Sequence, residues 1–519
     1  MQKCPAYFFP ILFFLGFLLY TPWVHAADYI VDSVFDEVDD DVGDGICATA
    51  GGNCTLRAAI QEANDGGGAD TITLLAGTFT TTRSGNGNTQ GDYDVLNDVE
   101  ITGAGAANTI VDAVQIDRVF DIASGVTVIF SNMTLTGGET STSGGAIENQ
   151  GTLTMNDCLI SGNSLTGSGV AAAGGGIDND NGTLSINRTT ISDNEAVRGG
   201  AIVVDGGTVT INNSTLSGNS ITVASGDGGG IYVLGGGTLI VTNTTFNNNS
   251  AQDDGGGVFQ NNGTITLINS TLSNNSAGGD GGGVFRSGGA MALHHVIMAN
   301  NTAASGTGPD CQGQVLSQGY NLIEDSTDCT FDPASDLTGN LTGDPGLDVF
   351  QFLLDGLGNE IPGRGHFPLL ATSIVINAGD PAGCQDSGGN ALITDQIAQT
   401  RSLACDMGAI ESSCGDGNPD LDEACDDGNQ DNTDSCTATC LDAVCGDGLV
   451  QAGVEDCDDD NLVDGDGCDS NCTLTACGNG IVTAGEACDD GNADNMDACL
   501  NTCIAAGCGD GFVQAGVEA

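Results

Sequence analysis

At 519 residues the chain has room for several domains or for one extended repeat array. Nine basic residues stand against seventy acidic ones, and no Lys or Arg cluster exists to displace counterions from phosphates, which excludes nucleic acid as a partner. Twenty-one cysteines suit an exported protein, where they can persist as disulfides.

The first 26 residues read as a secretory signal: Lys3 gives a minimal basic start, Tyr7 to Tyr20 an apolar run, and Val24-His25-Ala26 a small-residue cleavage context. The run is shorter than the ~20 residues a spanning helix needs, and no second apolar stretch follows. The mature chain, beginning near Ala27, is therefore expected to lack a transmembrane segment and contains no Lys.

Residues 27–143 are assigned to an N-terminal cap and the first turns of a coil. In CTLRAAIQEAN, residues 54–64, Thr55 can cap a short helix whose Leu56, Ile60 and Ala63 share a face, and Cys47 can bridge to Cys54. The stretch Cys54, Thr55, Leu56, Arg57, Ala59 and Ile60 resembles the CSLREA motif of exported bacterial β-helix proteins, with Thr for Ser and Ala58 for Glu. The resemblance implies an N-terminal end and carries no implication for catalysis.

From 144 to 302 one line recurs: GGAIENQGTLTM, GGGIDNDNGTLSI, GGAIVVDGGTVTI, GGGIYVLGGGTLIV, GGGVFQNNGTITL, GGGVFRSGGAMAL. Its markers Ile147, Ile177, Ile202, Ile231, Val258 and Val284 repeat at a spacing typical of stacked arrays. Val258, Ile265, Leu267 and Leu272 match Ile202, Val209, Ile211 and Leu216, and the middle run alternates with period two. Three short strands per copy are expected, too small to bury an apolar face alone, so copies stack as a parallel β-helix. Asn163, Asn194, Asn219, Asn249, Asn275 and Asn301 share one position and predict an amide ladder. Doubled glycines fit turns with positive φ or close backbone approach. Cys158 falls where other copies carry Thr189, Ser214, Thr244 and Ser270, which predicts a buried free thiol.

Residues 303–411 read as the C-terminal β-helix region. GYNLIED, GDPGL, HFPLLATSIVINAGDP and CDMGAIE, ending at Glu411, resemble the C-terminal part of bacterial choice-of-anchor β-helix proteins. Cys311 with Cys329 and Cys384 with Cys405 are plausible local bridges.

Residues 412–519 form a different array. Cysteines at 414, 425, 436, 440, then 445, 457, 468, 472, then 477, 488, 499, 503 define three modules, each too small for a core and each expected to hold two disulfides in one of three pairings. The wording CGDG…CDDGN resembles the Cys-rich repeats at the C-termini of exported bacterial proteins, myxobacterial ones among them. A fourth unit starts at Cys508 and breaks off at Ala519, so the chain is expected to continue. This segment carries 25 acidic residues and no Lys or Arg. Carboxylate and amide oxygens cluster at Asp426, Asp427, Asn429, Asp431 and Asp434, at Asp458, Asp459, Asp460, Asp464 and Asp466, and at Asp489, Asp490, Asn492, Asp494 and Asp497. These are hard ligands for calcium, weighed against Asp and Asn that only shape turns.

The rival reading is a polysaccharide lyase or glycoside hydrolase of the pectin-lyase-like fold. A lyase needs a strong base beside calcium-held carboxylates, yet Arg188, Arg198 and Arg286 lie in no lyase signature. A hydrolase needs carboxylates converging on one face, whereas Asp178, Asp180, Asp193, Asp205, Asp227, Asp253, Asp254 and Asp280 are expected mostly at turns. His294 and His295 are the one tempting pair, but His295 takes the place of Asn213, Asn243 and Asn269, so it reads as a turn-stacking residue. No catalytic residue is assigned. The expectation is an all-β, right-handed parallel β-helix followed by disulfide-rich modules, secreted or at the cell surface. It is expected to be adhesin-like or structural and non-catalytic, binding glycans or cell surfaces, or to act as a calcium-binding spacer.

Overall fold

The computed structural model describes residues 26–513 apart from 86, 168–173, 371, 402–404, 413–423, 426–430 and 438–439. The export signal read over 1–26 lies, except for its last residue, outside the described residues. The described residues are all-β apart from one helix: a right-handed parallel β-solenoid followed by a disulfide-rich C-terminal region.

Each turn of the coil carries four strands rather than the three the pattern suggested. One full turn runs through Ile202–Asp205, Thr208–Asn212, Thr215–Ser217 and Ser220–Ile221. The fourth strand is two residues long, too short to leave a periodic signature. In the second strand Val209 and Ile211 point inward while Thr208, Thr210 and Asn212 face outward, the alternation a half-buried strand requires. Successive turns pair in register, Ile147 with Ile177, then Ile202, Ile231, Val258 and Val284. These six side chains form one fully buried column.

The corners explain the repeated small residues. Between second and third strands the chain takes positive φ at Arg188, Asn213, Asn243, Asn269 and His295, a conformation Asn tolerates better than most residues. The paired glycines do two jobs. Gly199 has φ of 56°, and a Cβ on Gly200 would lie 2.3 Å from the carbonyl oxygen of Gly229 on the next turn. Just after the third strand, Asn163, Asn194, Asn219, Asn249, Asn275 and Asn301 form a continuous ladder, each Nδ2 2.9–3.0 Å from the next Oδ1. A second ladder passes from Cys158 N–H to Thr189 Oγ1, Thr189 N–H to Ser214 Oγ, Ser214 N–H to Thr244 Oγ1 and Thr244 N–H to Ser270 Oγ. Cys158 is buried with a free thiol, as its place in this ladder demands, and burial pushes that thiol up to about 12.

The helix α1, Leu56–Asp65, is capped by Thr55, whose hydroxyl accepts from Ala58 N–H at 3.2 Å. Leu56, Ala59, Ile60 and Ala63 join the core of the coil at its N-terminal end. Arg57 is buried against Asp36 at 2.5 Å and over the Tyr93 ring at 4.6 Å, so the charged residue of the CTLRAA stretch is structural. Cys47 is bridged to Cys54.

Within 303–411 coiling continues only through the first part. Cys311–Ser317 and Leu322–Ile323 complete the stack, and Cys329–Phe331 pairs beside it. The chain then doubles back along the flank of the coil as a strap. Its hairpin of Gln351–Leu354 and Glu360–His366 lies against the third strands, with Gly363 N–H on Thr190 Oγ1 at 2.8 Å and Gly365 N–H on Thr215 Oγ1 at 2.9 Å. Gln396 reaches Ser214 O and Thr245 Oγ1, and Ala409 N–H reaches Thr271 Oγ1. Cys311–Cys329 and Cys384–Cys405 are bridged.

In the tail one of the three possible pairings is realised, first with fourth cysteine and second with third. Cys445–Cys472 encloses Cys457–Cys468, and Cys477–Cys503 encloses Cys488–Cys499. Cys425–Cys436 is the inner bridge of the first module, while Cys414 lies outside the described residues.

Candidate functional site

The first strand of each turn has one outward residue between inward neighbours. Followed along the axis, this position holds Asp94, Asp121, Glu148 and Asp178, then Val203, Tyr232, Phe259 and Phe285. The second half is self-consistent. Tyr232 stacks on Phe259 at 4.9 Å and Phe259 on Phe285 at 5.2 Å, with rings nearly parallel. The first half places four like charges in register at the ~4.8 Å spacing of neighbouring strands, which is repulsive.

One cation offsets part of that repulsion. Arg118 Nη2 lies 2.8 Å from Glu148 Oε2, while Nη1 lies 3.1 Å from Asp121 Oδ2 and 3.5 Å from Asp92 Oδ2. Its Nε donates to Ser143 O at 3.0 Å, fixing the guanidinium plane. Burial nevertheless prevails at Asp92, lifting its carboxyl to about 7 against the pull of Arg118. Asp178 is also lifted to about 7, by burial first and then by the charges of Glu148, Asp180 and Asp205. Asp94 and Glu148 are raised by burial as well. Asp94 Oδ2 and Asp178 Oδ1 are buried without a hydrogen-bond partner.

Beside the column a cleft of about 590 Å³ is lined by Asp92, Asp94, Arg118, Asp121 and Thr142 among others. A second cleft of about 570 Å³ shares Gln115, Glu139 and Thr166 with it, so the two form one open, polar groove across the N-terminal turns. This arrangement can hold a polar ligand by many hydrogen bonds on rigid strands.

The sequence reading placed repeat acids mostly at turns, and Asp193, Asp227, Asp253, Asp254 and Asp280 do lie there. Asp178, Asp180 and Asp205 instead lie on strands, with Asp180 and Asp205 in register and Asp178 ending a four-residue column, which corrects the expectation that no strand position is shared by acids of adjacent turns. A usable signal was present: the triplets Tyr93-Asp94-Val95, Phe120-Asp121-Ile122, Ile147-Glu148-Asn149 and Ile177-Asp178-Asn179 share one pattern at repeat spacing. The first two precede the glycine-rich line and escape an alignment built on it.

The other candidates are engaged elsewhere. Arg188 pairs with Asp157 at 2.7 Å, Arg198 lies 5.4 Å over the Tyr232 ring, and Arg286 donates to Gln314 O at 2.9 Å. His295 sits at the positive-φ corner with Nε2 accepting from Asp380 N–H at 2.9 Å, and burial lowers it to about 3.

In the tail, Asp426, Asp427 and Asn429 lie outside the described residues. Asp458 and Asp489 are consumed as anchors for the preceding loop, accepting from Gly446 and Gly448 N–H and from Gly478 and Gly480 N–H respectively. Asp431, Asp434, Asp464 and Asp494 accept from backbone N–H groups of their own turns. Asn492 Oδ1 accepts from Asp494 N–H, and Asp460 N–H donates to Asp458 Oδ1. The structure does bring two pairs together. Asp459 meets Asp466 and, one module later, Asp490 meets Asp497, each pair also holding the N–H of a cysteine, Cys468 or Cys499.

Among the described residues no helix is long and apolar enough to cross a membrane. None of the curated proteins matches the chain. A family model for the right-handed β-helix region matches residues 96–246, and one for the Chlamydia polymorphic membrane protein repeat matches residues 243–262. Among solved structures, the crystal structure of pectate lyase Pel9A aligns at 18% identity over 75% of this chain and 97% of that one, with a TM-score of 0.41.

Proposed function

We propose that this is an exported or surface-displayed β-helix protein of the CSLREA and choice-of-anchor kind that binds glycans without cleaving them, in the groove beside Arg118. The observation carrying this reading is the groove itself: open, continuous over several turns, and lined by carboxylates, amides and hydroxyls with one fixed guanidinium. Sugar hydroxyls pair with such groups, and an extended open surface suits a chain-like ligand held by many weak contacts. Eight disulfides among the described residues fit an oxidising, extracellular setting. Arg118 spends Nη1 on Asp121 and Asp92, Nη2 on Glu148 and Nε on Ser143 O, and this engagement of the guanidinium weighs against its serving as the base of lyase chemistry.

A glycan-array screen of the mature chain tests the proposal. Binding that Arg118→Gln abolishes supports it, and no binding to any glycan overturns it. New reducing ends or unsaturated products from a bound polysaccharide would overturn the non-catalytic part. That hydrolytic alternative has one observation in its favour, the Asp92 carboxyl kept protonated to about 7 in the same cleft as Asp94 and Asp121, and Asp92→Asn would then abolish turnover.

For the tail we propose calcium at the Asp459–Asp466 and Asp490–Asp497 pairs, making the modules a cation-stiffened spacer. The support is that both pairs recur at equivalent places, and that desolvation and then the facing carboxylate raise Asp459 and Asp490. Melting the tail with calcium and then with chelator checks this. Equal curves leave the loops as turns.

A further inference from the structure

We propose a second sugar site, for a neutral hexose unit, in the cleft where the strap crosses the last turns of the coil. It lies nearer the C-terminal end of the coil than the Arg118 groove and stands or falls separately from the reading of that groove. The cleft holds about 560 Å³. Its lining includes Asn248, Ser273, Asn274 and Asn300 from the coil and Phe350 and Phe367 from the strap.

The amides are confined to the turns that border this cleft. The residue just before each rung of the amide ladder takes positive φ, and in earlier turns that place is filled by Gly162, Asp193 and Gly218. In the three turns at the cleft it is filled by Asn248, Asn274 and Asn300, all exposed. Glycine already meets the backbone demand at this corner, so the turn itself does not call for an amide. Successive turns lie ~4.8 Å apart, which sets the three amides in a regular row of donors and acceptors. Among the described residues the side chains of Asn248 and Asn300 make no hydrogen bond, and Asn274 spends only Nδ2, on Asn247 Oδ1 at 3.3 Å.

Ser273 points independently to a ligand. It is fully buried, it lines the cleft, and its hydroxyl has no hydrogen-bond partner. A hydroxyl withdrawn from water without a partner is costly, and a ligand hydroxyl would supply what the protein does not. The strap's contribution is aromatic: half-buried Phe350 meets buried Phe367 edge-on, with centroids 5.2 Å apart. Amides and a hydroxyl beside an aromatic surface suit a pyranose, which carries hydroxyls around its rim and an apolar face of C–H bonds. Charge then selects among sugars. No cation lines the cleft among the described residues, whereas Asp348 does, and Glu324 accepts from Asn300 N–H at 2.8 Å. A uronate or a sulfated sugar is repelled there, which leaves a neutral one.

The test is calorimetric titration of the mature chain with two neutral probes, cellohexaose and mannohexaose, and with trigalacturonate. At least one neutral probe should bind. Asn274→Gly should weaken it about three- to tenfold, the worth of one lost hydrogen bond, and Asn248→Gly with Asn300→Gly should weaken it further. These variants keep the fold, because Gly218 already stands at the equivalent corner. Phe350→Ala should weaken the same probe, and Arg118→Gln should not, which separates this site from the groove. No binding of either neutral probe overturns the site, and so does neutral binding that falls with Arg118→Gln yet ignores the three Asn. Trigalacturonate binding that Asn274→Gly weakens would overturn the choice of a neutral sugar.

Discussion

Asn301 closes the amide ladder on Asp310, with Nδ2 2.8 Å from Oδ1. Every earlier rung must accept from the turn before and donate to the turn after, which an amide does and an ionised carboxylate, an acceptor alone, does not. The last rung has nothing further to donate to along the ladder, so a carboxylate suffices, and its other oxygen takes Asp325 N–H at 2.8 Å. The ladder therefore has a direction. Asn219→Asp would set an oxygen against Ile191 O and Asn249 Oδ1, two acceptors now within reach of its donor. We expect it to cost about 3 kcal/mol or more in urea unfolding, against roughly 1 kcal/mol for Asp310→Asn. Equal losses at the two positions would mean that the ladder has no polarity.

The stacked core predicts a pattern of coupling. Ile231→Ala should cost about 2–5 kcal/mol because the site is fully buried and confined by turns on both sides. Ile202 and Ile231 are register partners, whereas Ile202 and Val284 are three steps apart. The double variant Ile202→Ala with Ile231→Ala should be non-additive, and Ile202→Ala with Val284→Ala additive within about 0.5 kcal/mol. Denaturant titrations of the two cycles decide it.

Much of this is legible in the sequence because it is periodic. Inward positions such as Val209 and Ile211 recur at fixed offsets, and so do Asn219 and its equivalents, since each turn must satisfy the same two constraints, an apolar interior and a saturated backbone. The fourth strand, Ser220–Ile221, was invisible because two residues cannot establish a period. The strap was missed for a different reason. Its grip depends on single long-range contacts, such as Gln396 with Thr245, that leave no local pattern. Disulfide order was hidden because equal spacings permit all three pairings. The acidic column fell between these cases, periodic but begun in turns whose corners lack the glycine line.

Stability should depend on pH in an unusual direction for an acidic protein. Burial raises Asp92 and Asp178 to about 7, and Asp310 and Asp395 to about 6. A raised folded-state value means that the folded chain holds more protons than the unfolded one across the interval. This contribution is fully present below the ordinary Asp range near pH 4 and is lost as pH rises through 6 and 7. Without divalent cations, the urea midpoint should fall between about pH 4 and pH 7, and Asp92→Asn should flatten the decline. A midpoint that rises over that window contradicts the assignment.

The strap depends on a buried ion pair. Arg401 Nη1 meets Glu411 Oε2 at 2.9 Å, Arg401 Nη2 meets Asn243 Oδ1 of the coil at 3.0 Å, and both charged side chains are shielded from solvent. Removing one partner leaves the other charge buried, so Glu411→Ala should cost about 3–5 kcal/mol. The loss is expected to be local. Hydrogen exchange should accelerate over 346–411 while the amides of Thr208–Asn212 keep their protection, and uniform acceleration would show that strap and coil open as one unit.

In the tail the two aspartates of each CDD run should differ sharply when neutralised. Asp489 accepts from Gly491 N–H at 2.8 Å, Gly478 N–H at 2.6 Å and Gly480 N–H at 2.8 Å, and these donors hold its carboxyl below the ordinary range. Its contribution is present above that range and lost on acidification. Asp490 instead faces Asp497, and the two carboxylates oppose each other. Asp489→Asn should therefore loosen the loop that leads out of Cys477 and speed reduction of Cys477–Cys503 by a small thiol. In chelator, Asp490→Asn should leave that rate unchanged or slower, since it removes a repulsion. Mapping which cysteines are alkylated with time measures both rates, and acceleration of equal size in the two variants would place the loop's support in net charge rather than in the three N–H donors that converge on Asp489.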